Sequence, residues 1–266
     1  MQPDRVLSLA AGAVQEFTPE RAVYAAHAAG FDAVGIWCDA PAWRAATTQQ
    51  VRNALADTGL IALDMEVIWL HPGEPPDKHD GIVDLALEIG ARNLLCVSSE
   101  PQQLLGMRRF ERLCRRAEQS ELRIALEFLA LSEIQSLQQA LAVVEGVGHP
   151  AGAVLIDNLH LARSGGTPED LRAVAPPLMS YVQLCDASRE PPGSTLEERL
   201  EDALELRQLP GEGELPLREL LAEIDAQLPL SLEIRSRSLR ERFAEDIDRR
   251  AAMIYTATRR FLQTTP

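Results

Sequence analysis

The chain has 266 residues, 46% of them hydrophobic, which is long enough for one large buried core. Its formal net charge is −14, and a surface that acidic repels phosphate backbones and anionic lipid, excluding nucleic acid and membrane surfaces as expected partners. Cys38, Cys96, Cys114 and Cys185 show no CxxC pairing and read as buried thiols of a reducing compartment, which excludes a disulfide frame or a zinc cluster.

The first segment, MQPDRVLSLAAGAV, carries Asp4 and Arg5 beside a short apolar stretch. It is too short for a membrane span and lacks the build of a signal peptide, so a cytoplasmic chain is expected. Strand-like apolar runs follow at 5–14, 32–39, 61–70, 92–99, 123–129, 153–158, 180–187 and 229–236. Between them apolar residues recur at three- and four-residue spacing, as in 18–30, 49–59, 82–90 and 131–146, predicting amphipathic helices. Thr18-Pro19-Glu20 and Thr167-Pro168-Glu169 place Thr at an N-cap, Pro at the first helical position and an acid in the first turn. Gly30, Gly59 and Gly90 read as helix stops. One long helix is predicted from about Glu241 to Leu262.

Strand starts lie roughly thirty residues apart, the length of a strand plus a crossover helix. Only the gap from the seventh to the eighth run is longer, and it contains 190–217. Eight such units predict an α/β fold, a (β/α)8 TIM barrel forming a single domain over 1–266. The rival, a doubly wound open sheet, lacks its marks: no GxGxxG follows the first strand and no Walker-type loop occurs.

In such a barrel the active site lies at the C-terminal ends of the strands. Four polar residues interrupt apolar runs there: Glu127, Asp157, Gln183 and Glu233. Singly, each has a plain structural account. The glutamates could pair with Arg123, Arg235 or Arg237, Asp157 could serve a turn, and Gln183 could be a core amide. Together on consecutive strands, three buried carboxylates repel and call for a positive partner; a divalent cation is the simplest one. Lys78, the only lysine, lies in the polar stretch EPPDKHD, which argues against Schiff-base chemistry.

The set ALEF, D-x-x-H (Asp157, His160), VQLCDA, PGEGEL and LEI resembles the xylose isomerase-like TIM barrel superfamily, the sugar phosphate isomerase/epimerase group, over the whole chain. The resemblance implies Glu127, Asp157, Gln183 and Glu233 as metal ligands. It implies substrate contacts from His160, from Glu133 six residues beyond Glu127, and from Arg189 six residues beyond Gln183. Glu133 has an alternative place in the capping box of the next helix. Many isomerases of the group have His where this chain has Gln183; an all-oxygen site favours Mn2+ or Mg2+ over Zn2+. A DNA-repair relative of the group would need a His-rich zinc site and a basic face, against five His and a charge of −14.

The expected chemistry is enolisation of a small polyhydroxy keto substrate, with Glu127 and Glu233 as the proton-transfer pair. Isomerisation or epimerisation is the first reading. The alternative is a dehydratase or lyase of the 3-dehydroshikimate or inosose type, towards which Gln183 leans. Trp69, at the end of the third strand with Trp37 closing the second, offers an aromatic face for stacking or simply for packing. Self-association into a homo-oligomer is left open.

Overall fold

A computed structural model describes residues 5–264. Eight parallel strands close into a barrel in chain order: β1 (Leu7–Leu9), β2 (Ala33–Trp37), β3 (Ile61–Leu70), β4 (Asn93–Ser98), β5 (Arg123–Glu127), β6 (Gly152–Asp157), β7 (Met179–Leu184) and β8 (Leu230–Leu232). The crossovers are α1 (Pro19–Ala29), α2 (Ala45–Thr58), α3 (Asp80–Ile89), α4 (Gln103–Arg116), α5 (Leu137–Val147), α6 (Asn158–Arg163), and then α7 (Leu196–Glu205) with α8 (Leu217–Glu223). The helices α9 (Arg237–Phe243) and α10 (Ile247–Gln263) finish the chain. The predicted TIM barrel is the observed fold.

Two cores follow from strand alternation. Outward residues such as Ile36, Leu94, Ile124 and Val182 join the helices in a large outer layer. Inward residues, among them Leu63, Leu95, Ala125, Leu155 and Tyr181, fill the barrel. On β3 the pairing shifts register against both neighbours. These bulges change the parity, which brings Glu66 and then Val67 and Trp69 to the interior side.

The elements differ from the sequence reading where polar demands intervene. The run 5–14 pairs only over Leu7–Leu9 and then turns as a 3-10 helix, Ala11–Ala13. A Cβ on Gly12 would lie 2.3 Å from Glu233 Oε1, so a larger residue in this turn would push the Glu233 carboxylate out of its place. The Thr167 capping box opens a 3-10 helix, Pro168–Ala173, instead of an α-helix. The single terminal helix is two, broken at Ala244, whose φ of 33° is left-handed. Buried Arg250 reaches across that break to Ala244 O and to Glu16 beyond β1. All four cysteines are buried and unpaired. Among the described residues, no helix is long and apolar enough to cross a membrane.

Candidate metal centre and active site

The expected four residues meet at the C-terminal mouth. Glu127 and Asp157 end β5 and β6, Gln183 is registered with Asp157, and Glu233 follows β8 with its N–H on Leu184 O. All four are buried. Glu66 joins them from β3, accepting a hydrogen bond from Gln183 Nε2 at 3.0 Å. That bond fixes the amide's nitrogen end and turns its oxygen away from Glu66.

Asp157 does two things at once. Its Oδ1 accepts from Leu159 N–H (2.8 Å) and His160 N–H (3.2 Å), capping α6, while Oδ2 accepts from Arg207 Nη1 at 2.6 Å. The turn role that the sequence allows for Asp157 is thus a helix N-cap, held alongside the ion pair. Next to it, Asn158 makes a pair of hydrogen bonds with the backbone of Cys185, Nδ2 to O at 2.9 Å and N–H to Oδ1 at 2.8 Å, continuing the β6–β7 pairing with a side chain.

Arg207 is the residue that sequence reasoning missed. Its guanidinium is almost wholly buried: Nε donates to Ala203 O (2.8 Å), Nη1 to Asp157 and Nη2 lies 3.4 Å from His160 Nε2. The long gap between β7 and β8 was the available signal. It holds α7, which roofs the mouth with Leu200, Ala203 and Leu204. Arg163 on α6 clamps that roof through both oxygens of Asp202, at 2.6 and 3.2 Å. Beyond α7, Gln208 exchanges backbone hydrogen bonds with Asp186, whose carboxylate also holds Gly211 N–H and Leu215 N–H.

Five carboxylates (Asp64, Glu66, Glu127, Asp157 and Glu233) face two guanidiniums, Arg207 and Arg235, in this interior. Burial, with the Asp157 charge added, pushes Glu127 well up against the pull of Arg207. Burial raises Glu66 with the charges of Glu233 and Asp64, and raises Asp64 to about 7. Glu233 is raised by burial against the pull of Arg207 and Arg235. Burial also opposes charge on Asp157, but Arg207 and the capping bonds outweigh it and hold this carboxyl below its ordinary range. Burial holds His160 down to about 4, so the imidazole is neutral at pH 7. Glu233 Oε2 and both Asp64 oxygens are buried without a hydrogen-bond partner.

These residues fit a divalent cation. Ligand atoms of Glu127, Asp157 and His160 lie within 4.8 Å of one another, and the surplus of buried carboxylates lacks positive charge. The buried Glu/Asp/His triad is consistent with a divalent metal site.

The mouth encloses about 290 Å³. His160 and Trp69 line it; Trp69 donates Nε1–H to Ser99 Oγ (2.8 Å) and stacks on His71. An adjoining cavity of about 470 Å³ shares Leu131, His160 and Ala203 with it. The other two expected substrate contacts lie elsewhere. Arg189 is exposed and engages only through its backbone, with Glu214 and Arg163, because the chain turns outward after β7; Arg207 stands in the mouth instead. Glu133 lies in the loop before α5, beside a separate cavity of about 600 Å³ between α4 and α5. Its helix is capped by Ser136, not by the Ser132 box. The larger cavity holds none of the converging carboxylates of the mouth.

The xylose isomerase-like TIM barrel family model matches residues 23–257. A 3-dehydroshikimate dehydratase of Pseudomonas putida is 29% identical over 243 residues, covering 85% of this chain and 37% of its own length. The chain thus spans little more than a third of that relative. A xylose isomerase-like TIM barrel/4-hydroxyphenylpyruvate dioxygenase fusion protein superposes with a TM-score of 0.82 at 26% identity, over 98% of this chain and 44% of the other. IOLI protein, solved with a binding zinc atom, has a TM-score of 0.80 at 16% identity over 98% and 99% of the two chains, a likeness of fold.

Proposed function

The chain belongs to the xylose isomerase-like TIM barrel family, and from that membership we propose that it is a divalent-metal-dependent dehydratase acting on a cyclic β-hydroxy ketone of the 3-dehydroshikimate type. The observation that carries this reading is the lining of the mouth. Apolar side chains (Trp37, Trp69, Val97, Leu129, Leu204) line it together with a set of ionisable groups (Glu66, Glu127, His160, Arg207, Glu233, Arg235). An apolar lining with two tryptophans suits a carbocyclic ring better than an open polyol. The dehydratase relative supports the lyase over the isomerase or epimerase expected first from the sequence.

Glu127, Asp157, Gln183 and Glu233 would hold the cation, Mn2+ or Mg2+ by their oxygen donors. When bound, it supplies Lewis-acid polarisation of the ketone carbonyl. Glu127 and Glu233 act as the proton-transfer pair. One carboxylate takes the proton from the carbon next to the carbonyl, and the electron pair of that C–H bond becomes the new C=C bond. The C–O bond of the β-hydroxyl breaks as the other carboxyl delivers a proton, and water leaves. Neutral His160 holds a substrate oxygen, and the buried Arg207 guanidinium positions Asp157 and His160. Leu200 and Leu204 on α7 keep bulk water from the reacting ring.

A second reading, isomerisation or epimerisation, shares the first proton removal. The placement of His160 three residues beyond Asp157, inside the mouth, is what favours it. Incubation with 3-dehydroshikimate and Mn2+ decides between them: growth of the near-ultraviolet absorbance of a dihydroxybenzoate supports dehydration. Silence there, with deuterium entering a ketose from D2O without loss of water, would sink the dehydratase in favour of the second reading.

A further inference from the structure

Arg207 and Arg235 are neighbours through their backbones, Arg207 N–H donating to Arg235 O at 3.2 Å, yet their guanidiniums are in opposite situations. The Arg207 group is occupied on every side by Asp157, Ala203 O and His160. The Arg235 group lies over the Trp37 ring at 5.8 Å and donates one hydrogen bond, from Nη2 to Gln15 Oε1 at 2.8 Å. Its nearest carboxylate oxygen, on Glu233, is 3.9 Å from Nη1, beyond hydrogen-bond reach. Arg235 lines the mouth, and its side chain is only 16% exposed. Its other N–H groups, on Nε and Nη1, have no acceptor among the described residues.

A guanidinium set over an indole ring, shielded from bulk water and with donors left over, is preorganised for a planar anion. Everything else on the mouth floor is neutral or carboxylate, apart from the committed Arg207. We infer that Arg235 is the specificity-determining residue of the site: it receives a carboxylate carried by the substrate ring and so selects carboxylated hydroxy ketones over neutral sugars. This rests on the dehydratase reading above and names the group by which that enzyme recognises its substrate. Gly12 is part of the arrangement, since a Cβ there would come within 3.2 Å of Arg235 Nη1.

The test is calorimetric binding to the full chain loaded with Mn2+, with 3,4-dihydroxybenzoate and catechol as probes that differ only in the carboxylate. The wild type is expected to prefer the carboxylated ring by about 10- to 100-fold, the range for a hydrogen-bonded charge pair. Arg235→Gln should abolish that preference and leave catechol affinity within about twofold. Arg235→Lys, which keeps the charge and the packing on Trp37, should retain part of the preference, and it serves as the readout if the Gln variant fails to fold. A wild type without preference, a Gln variant that keeps it in full, or a Lys variant equal to wild type would overturn the assignment. Because binding is read without turnover, inactivity on 3-dehydroshikimate beside an Arg235-dependent preference would reject the reaction and leave the carboxylate site standing.

Discussion

Asp157 and Arg207, 50 residues apart in sequence, form a buried ion pair at 2.6 Å in which the carboxylate also caps the helix it precedes. The pair is the one charge contact in the mouth that holds a carboxyl below its ordinary range.

Removing the Arg207 guanidinium should therefore cost more than breaking an exposed pair would. Arg207→Met leaves Asp157 buried without its counter-charge, and a loss of about 3–5 kcal/mol is expected in urea unfolding of the metal-free protein. Asp157→Asn keeps an N-cap acceptor, so it should be more stable than Asp157→Ala by about 1 kcal/mol. Equal stabilities for those two variants would remove the capping role.

Glu233→Gln should stay folded while losing both divalent-cation binding and turnover. Its Oε2 has no protein partner to lose, so the far-ultraviolet spectrum and melting point of the metal-free variant should match or exceed those of the wild type. Normal Mn2+ stoichiometry in this variant would show that Glu233 is not a ligand.

Stability of the metal-free protein should fall as pH rises. Asp64, Glu66, Glu127 and Glu233 have folded pKa values above their unfolded ones, so the stability they contribute is full below about pH 4 and is lost as pH climbs through the raised values, about 7 for Asp64. Asp157 works the other way: its contribution is present above the ordinary carboxylate range and lost as pH drops through its lowered value. A bound divalent cation replaces the missing protons. The rise in melting temperature on adding Mn2+ should accordingly be larger at about pH 8 than at about pH 5.5; a pH-independent rise would contradict the carboxylate site.

Asp202→Asn weakens the clamp that holds α7 to α6 through Arg163. The expected result is a higher KM with a smaller change in kcat, because the roof is loosened while the groups on the floor stay in place. An unchanged KM would detach α7 from substrate binding.

The candidate site is legible where a strand's own alternation displays it. Glu127, Asp157 and Gln183 are inward positions interrupting apolar runs, and the pleat alone sets them on one side. Arg207 was not legible, because ELRQLP reads as the polar end of a surface helix. Only the return of α7 over the mouth, fixed by Asp202 and Asp186, buries it. Arg189 shows the reverse: its spacing from Gln183 fits a substrate contact, but direction beyond a strand end belongs to the loop, which here turns it outward. An unbroken apolar period predicts a single terminal helix, and a left-handed Ala244 leaves that period intact. Asp157 reads in sequence as a ligand or a turn residue, but a carboxylate has two oxygens and here one caps α6 while the other meets Arg207.

The contacts around α6 and α7 close on themselves. Asp157 caps α6, α6 carries Arg163, Arg163 grips Asp202 on α7, and the chain leaving α7 returns Arg207 to Asp157. Such a circuit has no first link, so its members share one fate: once any of them lets go, the rest have less left to hold. Losses at Asp202 and Arg207 would then fall short of their sum when combined, and a lineage could alter the ring only by exchanging linked residues together.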